Sequence, residues 1–530
     1  MVRKSQILKL ITMIAFVWLF IILLMNIFNS GHSYHYINVE RKLQMQHEQQ
    51  IHSVETNNKN IEATVKIATD LKLDYNITEP SITDLVTKFQ KKLPSLPIEY
   101  FYRHANQSMQ KFRNCALYPA LQVINFYNTY WQTFYIDNSI FQLYGAYYDT
   151  RPETGPVVRI LAMTNHQLNE FPIIYCQLWF EDDNRPVIST IREYKIIWEP
   201  TWGVKAGVYY PYLMTCELPK NANITGDPTP KVVNLVGRQC DTASNSLRIV
   251  YDKPVNSEEK QEFAVCVKGL DFPYQDLSSR LVEWLELLKL LGVHKVYMHH
   301  LQVHNNISKV LNYYQAKGFV EIQNISLVGG VVGQPEVEHW LIKTYPLNRR
   351  LNELIPYNDC FYRNMYKYKY IALLDIDEII MPINNLKTWQ QVVKRYDTGN
   401  DCYASLCATN VYFPSDNIPL RTHPSYMYML NHVYRYKDFT KQRYHIKCLH
   451  NTQQVVTLHN HYPFSYLNAT CKPLDLPTSF AQLQHYRDTQ VIDDKIEMDH
   501  VLIVDDSVDH FRKPLIEMCT TVLRDLKFIS

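Results

Sequence analysis

The interpretation of this chain begins at residues 370–382, which read YIALLDIDEIIMP. An apolar run ends there in three acids within four residues, Asp375, Asp377 and Glu378. If the strand continues, Asp375 and Asp377 point to the same side, where carboxylates repel unless solvent or a shared cation separates them. Carboxylate oxygens suit Mg²⁺ or Mn²⁺, and such an ion can neutralise a diphosphate leaving group. We therefore predict that the three acids form a catalytic, metal-binding cluster. The alternative to a metal site is that the three acids lie in a solvated turn after the strand.

The sequence around this stretch alternates between strand and helix patterns. Predicted strands cover 263–267, 294–298, 319–322 and 370–374, and predicted helices cover 276–291, 307–317 and 349–367. Such alternation predicts an α/β fold with a mostly parallel sheet and flanking helices. Ligands of such sheets bind beyond the carboxyl ends of the strands, where the acids lie.

The preceding segment, from about 115 to 250, has a different pattern. Short runs rich in Ile, Val, Tyr and Trp are broken by Asp, Asn, Gly and Pro about every ten residues. That spacing predicts an antiparallel, β-sandwich-like accessory domain. Nothing in this segment indicates catalysis.

The N-terminal region predicts a membrane anchor. Residues 10–28 are apolar apart from Thr12 and Asn26, and Arg3 and Lys4 precede them. The length suits one N-terminal transmembrane helix, and the charges place the N-terminus in the cytosol. A cleaved signal peptide is the alternative. The predicted domains are a cytosolic tail (1–9), a signal anchor (10–28), a stem (29–98), an accessory domain (99–255) and a catalytic domain (256–530).

The cysteine content and the net charge indicate the cellular compartment and the class of partner. Eleven cysteines, all after residue 100 and none in a Cys-x-x-Cys pair, predict disulfides in an oxidising compartment with at least one thiol left over. A net charge of +2 argues against a nucleic-acid partner. Six Asn-x-Ser/Thr sequons follow the anchor and are candidate glycosylation sites. They are Asn76, Asn106, Asn223, Asn306, Asn324 and Asn468.

Several short motifs occur in the order seen in one enzyme family. They are FAVCVKGL at 263–270, EWLE at 283–286, LGV at 291–293, NDCFYR at 358–363, the acids of 374–378 and HYR at 485–487. Over about 260–490 the chain resembles glycosyltransferase family 92, formerly a domain of unknown function. The segments AYYD at 146–149 with Arg151, and CQLW at 176–179, also resemble the region that precedes this domain in animal members.

The resemblance implies a GT-A type fold in a single-pass type II Golgi membrane enzyme. It implies inverting transfer of galactose from UDP-galactose, a UDP-sugar donor, to a glycan acceptor, with Mn²⁺ (or Mg²⁺) as cofactor. Asp375 would meet the ribose or a metal-bound water, Asp377 would bind the metal, and His485 would be a further metal ligand. The nucleotide-sugar would contact Lys268, Asn358, Asp359, Lys447 and Arg487.

Some points stay open. Where family members often have an aromatic-Asp-Asn stretch, this chain has Tyr-Met-His-His at 297–300, so the donor sugar is less secure. The candidate general bases are Glu338, Asp416 and Asp475. The chain is also a candidate for homodimer formation. A membrane-tethered glycan-binding ectodomain without catalysis is the first rival function. The second is a haloacid-dehalogenase-like phosphatase, with 505–506 as its downstream acid pair.

Overall fold

The computed structural model describes residues 79–104, 115–165, 170–253, 259–328, 333–396, 402–414, 420–488 and 501–530. The predicted tail, the predicted anchor at 10–28 and most of the predicted stem lie outside these residues. Among the described residues, we find no helix with both the length and the apolar character that a bilayer crossing requires. Residues 81–530 form one unit, which is described below.

Two helices begin this unit, α1 (Ile82–Lys92) and α2 (Ile98–His104). The Ser81 side chain caps α1 by accepting a hydrogen bond from Asp84 N. Two prolines at 94 and 97 separate the helices, as the sequence predicts. The Gln90 amide spans this break, because its Nε2 donates to the Leu96 carbonyl at 2.8 Å.

The accessory region is a closed β-barrel. Its strands are β1 (Gln132–Ile136), β2 (Ser139–Asp149), β3 (Val157–Thr164), β4 (Tyr175–Trp179), β5 (Val187–Ile196), β6 (Tyr210–Glu217), β7 (Val232–Val236) and β8 (Leu247–Val250). The hydrogen-bonded order is β2-β3-β6-β5-β4-β7-β8, and β8 returns to β2, so seven strands make a ring to which β1 is added. The closing pair is parallel, with Ala146 opposite Ile249, while the other pairs of the ring are antiparallel.

The predicted β-sandwich is therefore wrong, although its strands are found close to their predicted positions. Alternation of apolar residues buries one face of a strand in a sandwich and in a barrel alike, so it does not reveal that β8 pairs with β2. Phe141, Ile160 and Met214 are fully buried in the same core cluster. The Cys176–Cys216 disulfide lies in that cluster and joins β4 to β6.

The C-terminal half contains the remaining elements. They are β9 (Gln261–Phe272), α3 (Ser278–Leu290), β10 (Lys295–Val303), α4 (Asn305–Ala316), β11 (Val320–Asn324), α5 (Pro335–Thr344), α6 (Pro346–Asn352), α7 (Leu354–Asn364), β12 (Tyr368–Leu373), β13 (Glu378–Pro382), α8 (Trp389–Val393), β14 (Ser405–Ala408), β15 (Asn410–Pro414), α9 (Tyr428–Asn431), β16 (Tyr434–Tyr436), β17 (Lys447–Asn451), β18 (Val455–Leu458), β19 (Pro463–Tyr466), β20 (Leu474–Asp475), β21 (Ala481–Arg487), β22 (Leu502–Val504) and α10 (Arg512–Asp525).

The main sheet of this half is mixed. Its order is β11-β10-β9-β12-β17-β14-β20. The first four strands are parallel, but β17 runs antiparallel to both β12 and β14. A second, three-stranded sheet has the order β13-β21-β15. The predicted fold class, a GT-A type mostly parallel sheet, is therefore wrong. The periodic pattern covers the parallel strands, but it gives no sign of the strands that follow the acids.

The barrel packs against the C-terminal half through α7. On β2, Tyr147 is fully buried and donates a short hydrogen bond to the Asp359 carboxylate on α7. Arg151, just after β2, is also buried; it forms a two-point ion pair with Asp149 at 2.8–2.9 Å and donates to the Thr452 carbonyl at 3.0 Å. The AYYD-x-Arg motif thus holds the two halves together.

Five disulfides involve ten of the eleven cysteines, and Cys519 is a buried free thiol. The odd thiol predicted from the sequence is confirmed. The pairs are Cys115–Cys240, Cys176–Cys216, Cys266–Cys360, Cys402–Cys471 and Cys407–Cys448.

The predicted glycosylation sites are spread over the surface. Asn223, Asn324 and Asn468 are exposed, and Asn306 is half-buried at the start of α4. At 468–470 the Thr470 hydroxyl donates to Asn468 Oδ1 at 2.8 Å. Asn76 and Asn106 lie outside the described residues.

Candidate active site

The three acids form a tight turn between the two sheets of the C-terminal half. Strand β12 ends at Leu373, the turn carries Asp375 and Asp377, and β13 begins at Glu378. The Glu378 carboxylate closes the turn, because its Oε2 accepts a hydrogen bond from Asp375 N at 3.0 Å. The chain folds back in this way because Glu378 N also donates to the Asp375 carbonyl, at 3.1 Å.

Two lysines from the strands on either side of β12 meet this turn. Lys268 Nζ, on β9, lies 3.1 Å from Asp375 Oδ2 and 3.3 Å from Glu353 Oε1. Lys447 Nζ, at the start of β17, lies 3.8 Å from the same Asp375 oxygen. The Tyr357 hydroxyl on α7 donates to Asp375 Oδ1 at 3.1 Å. Burial would raise the pKa of Asp375, but the two ammonium groups outweigh it and hold that pKa well below its ordinary value.

On the other side of the turn, His485 lies between two carboxylates. It stands opposite Glu378 in the antiparallel pairing of β13 with β21. Its Nε2 is 3.3 Å from Asp377 Oδ2, and its Nδ1 is 3.6 Å from Glu378 Oε1. Burial alone would lower the pKa of the imidazole, but Asp377 and Glu378 outweigh it and raise that pKa. Asp377 is the accessible member of this group, with 42 % of its side chain exposed.

The cluster combines acidic and basic side chains. Four carboxylates, those of Glu353, Asp375, Asp377 and Glu378, contact Lys268, Lys447, His485 and Arg349. Within the part of the chain that the structure describes, three or more His, Cys, Asp or Glu side chains nowhere come together closely enough to hold a metal ion. Asp377 and His485 alone fit two positions of a Mg²⁺ or Mn²⁺ ion, since such ions commonly take one or two protein ligands and complete their shell with phosphate and water. Asp375 does not fit, because both lysines already face its Oδ2.

The structure brings together most of the residues predicted for the site. Asp375, Asp377, Glu378, Lys268, Lys447 and His485 surround one turn, and Arg487 follows two residues after His485 on β21.

Asn358 and Asp359, which the resemblance places at the nucleotide-sugar, are instead used within the protein interior. Both are fully buried on α7. Asn358 exchanges hydrogen bonds with the backbone of Leu458 at 2.9 and 3.0 Å. Asp359 contacts Tyr147, Arg363 and His299. His299 belongs to the His-His pair that replaces the family's aromatic-Asp-Asn stretch, and here it contacts Asp359 within the C-terminal half.

The predicted alternatives for the general base are placed as follows. Glu338 is buried and accepts from Ser326 and Leu327 N. Asp475 Oδ2 accepts from Gln442 and, at 3.3 Å, from Arg443. Asp416 lies outside the described residues.

The acids at 505–506, which the phosphatase alternative requires, pair elsewhere. Asp505 pairs with Arg435 at 2.8 Å, and Asp506 lies 3.8 Å from Arg421. Neither contact involves the acid turn.

Sequence reasoning missed Tyr357 and Glu353. Each lies in or beside α7, within six residues of the NDCFYR motif, and reaches the acid turn only because α7 packs beside β9 and β12. A polar residue facing the sheet from an apolar helix is a signal that would have found Tyr357.

Comparison with known proteins agrees with this geometry. The family model of glycosyltransferase family 92 matches residues 261–519, which include every residue that contacts the acid turn. This part of the chain belongs to glycosyltransferase family 92. The chain is also similar to a curated relative, the beta-1,4-galactosyltransferase galt-1 of Caenorhabditis elegans. The two are 24 % identical over 180 residues, which is 33 % of this chain and 39 % of the relative.

Membership of family 92 identifies the domain as that of a glycosyltransferase. A glycosyltransferase of this kind takes its sugar from a nucleotide-sugar donor and passes it to a glycan acceptor. The residues that can meet these substrates are the side chains at the acid turn, of which Asp377 is the most accessible.

Proposed function

We propose that this chain transfers galactose from UDP-galactose to a glycan, with inversion at the anomeric carbon. The observation that carries this proposal is the acid turn of a family 92 domain, held between two lysines and a histidine. Galactose is supported by the name of the relative alone, and the match to that relative covers 33 % of this chain.

The arrangement suggests a separate role for each side chain in the reaction. Lys268 and Lys447 keep Asp375 ionised and fix its position, and Glu378 fixes the backbone of the turn. Asp377 and His485 would hold a divalent ion, which supplies positive charge to the diphosphate when bound. Inversion requires the acceptor oxygen to bond to the anomeric carbon as the bond to the UDP oxygen breaks, while a carboxylate takes the hydroxyl proton.

The lumen of the Golgi is the proposed location. Five disulfides support a compartment that allows thiols to oxidise.

The test compares UDP release and product mass for the full chain with UDP-galactose, an acceptor panel and Mn²⁺, with and without EDTA. Asp377→Asn is expected to lower turnover by about a hundredfold or more, because the carboxylate that would hold the divalent ion at the diphosphate is lost. The matched control is Asp227→Asn in the barrel, since Asp227 is 47 % exposed and paired with Lys231 at 2.7 Å. Equal activity of wild type and Asp377→Asn would contradict the proposal. Glycan binding without UDP release would favour the glycan-binding ectodomain.

A further inference from the structure

A group of aromatic rings lies beside the acid turn and has no part in the chemistry described so far. It consists of Trp202, Tyr444, His459, Tyr462 and Phe464, here called the aromatic shelf. Tyr444 is connected to the other rings through His445 and His461, with successive ring centroids 5.1, 5.3 and 5.7 Å apart. The rings of His459, Tyr462 and Phe464 pack with centroids 5.1–5.6 Å apart. Trp202 lies 5.2 Å from the His459 ring. Most large aromatic side chains of a folded protein are largely buried, whereas the side chains of Trp202 and Tyr444 are 49 % and 59 % exposed.

The aromatic shelf is continuous with the acid turn. Residues 459–462 form the turn between β18 and β19. Asn460 in this turn accepts a hydrogen bond from Lys447 Nζ at 2.6 Å. The same Nζ lies 3.1 Å from Glu378 Oε2. One side chain therefore separates the aromatic shelf from the acids.

The barrel contributes Trp202. This residue ends a short 3₁₀ helix, Pro200–Trp202, between β5 and β6. The buried Trp198 packs edge-on against Trp202, with ring centroids 4.9 Å apart. This contact with the interior holds the Trp202 ring in place. Residues 200–207 are exposed throughout. The accessory barrel thus places an indole on the same surface as the turn of the C-terminal half.

Tyr444 lies in a segment with unusual backbone geometry. Its neighbours Arg443 and His445 have φ of 65° and 55°, a region that residues other than glycine rarely adopt. Asp475 holds the segment by accepting hydrogen bonds from Gln442 and Arg443. Strained backbone of this kind is tolerated where surrounding contacts fix it, and it is concentrated at ligand sites.

The chemistry of the aromatic shelf suits a carbohydrate. Aromatic faces pack against the C–H faces of pyranose rings, and neutral imidazoles exchange hydrogen bonds with hydroxyls. Burial lowers the pKa of His459 to about 3, so this imidazole is neutral at physiological pH. The rings of the aromatic shelf carry no cation for the phosphates of UDP, although a uracil base can stack on such rings, so the KM for the donor distinguishes the two occupants.

We propose that the aromatic shelf binds the acceptor glycan and directs its hydroxyl toward the acid turn. This inference rests on the proposed glycosyltransfer, because it names the subsite for the second substrate. It also gives the barrel a role, since Trp202 helps to decide which acceptors are used.

The experiment uses the full chain with Trp202→Ala and Tyr444→Ala. Both positions are about half exposed, so the fold should persist. Trp340→Ala is the matched control for Trp202, because Trp340 is 54 % exposed on α5, and Tyr135→Ala is the control for Tyr444, because Tyr135 is 60 % exposed on β1. We expect the KM for the acceptor to rise about tenfold in the two shelf variants, with the KM for UDP-galactose and acceptor-independent UDP release unchanged.

Three results separate this inference from the function on which it rests. An unchanged acceptor KM in both shelf variants of an active enzyme would overturn the subsite and leave the glycosyltransfer intact. A rise in donor KM equal to that of the acceptor would also overturn it. If the wild type transfers no sugar, saturation-transfer NMR with galactosylated and fucosylated oligosaccharides still tests the aromatic shelf. Binding lost in Trp202→Ala but kept in Trp340→Ala supports it, and no binding by the wild type overturns it.

Discussion

Lys447 Nζ lies 3.1 Å from Oε2 of Glu378, and both side chains are almost completely buried. The same oxygen accepts a hydrogen bond from Asp375 N, so one ion pair fixes the backbone of the acid turn. Lys447 begins β17 and Glu378 begins β13, which belong to different sheets. The pair therefore joins the two sheets at the site.

Replacement of Lys447 by methionine should destabilise the fold. The substitution leaves Glu378 and Asp375 buried with one cation fewer, and breaking a buried pair in this way costs about 3–5 kcal/mol of unfolding free energy. Urea denaturation followed by tryptophan fluorescence measures the change. Lys472→Met is the control, because Lys472 is exposed and should alter the free energy of unfolding by about 0.5 kcal/mol or less. Similar values for the two variants would mean that the buried pair contributes little.

Asp359 should make the stability fall at low pH. Burial would raise the pKa of this carboxyl, but Arg363, His299 and Tyr147 outweigh it and lower the pKa from 3.8 to about 2. A lowered folded-state pKa gives stability that is present above pH 4 and is lost as the pH falls toward 2, by about 2 kcal/mol. Denaturation between pH 5 and pH 2 should show a shallower decline for Asp359→Asn than for wild type. Asp506→Asn, at an exposed position, is expected to follow the wild type, and parallel curves for all three proteins would refute the assignment.

Arg151→Lys should weaken the contact between the two halves. Lysine keeps the charge but cannot pair with Asp149 through two nitrogens while donating to the Thr452 carbonyl. We expect a loss of about 1–3 kcal/mol in the free energy of unfolding, because a buried acceptor is left without its donor. Arg192→Lys on β5 is the matched control, because Arg192 is 50 % exposed and lies 3.4 Å from Glu217. The prediction fails if both variants unfold at the same urea concentration.

Loss of the Cys266–Cys360 disulfide should also lower stability. The bond links β9 to α7 across 94 residues, and both sulfurs are buried beneath the acid turn. Replacing both cysteines by alanine should cost about 2–5 kcal/mol, mainly through a less restricted unfolded chain. Cys519→Ala removes a buried sulfur without removing a crosslink, and it should cost only about 1 kcal/mol. Equal costs would show that the sulfur's packing, and not the crosslink, matters.

Most elements before the acids follow from local pattern, although α5 (Pro335–Thr344) was not predicted, and the elements after the acids were not predicted either. The predicted helix at 276–291 is found as Ser278–Leu290, and the predicted strand at 370–374 as Tyr368–Leu373. The predicted helix at 349–367 is divided into α6 and α7. Strand direction and barrel closure depend on partners far apart in the chain, such as Ala146 and Ile249, and local periodicity carries no information about them.

The candidate active site was likewise predicted only in part from the sequence. The acids are recognisable from the sequence because they follow an apolar strand. Lys268 and Lys447 were expected to contact the nucleotide-sugar, and in the structure both lie against Asp375, a contact that the sequence does not reveal. Asp359 was expected at the nucleotide-sugar, but the approach of Tyr147 from the barrel places it in the contact between the halves. Nothing in the sequence of α7 indicates which surface would cover it.

Closure of the barrel by β8 has a consequence for biosynthesis. Every strand of the ring is encoded before residue 251, whereas β9 begins only at Gln261. The ring can therefore form while the ribosome is still translating the family 92 region. The Thr452 carbonyl, to which Arg151 donates in the folded protein, is synthesised 301 residues after Arg151. In a nascent chain that has not yet reached Thr452, Arg151 Nη1 would lack the carbonyl groups to which it donates in the folded protein, while Asp149 can already pair with the rest of the guanidinium.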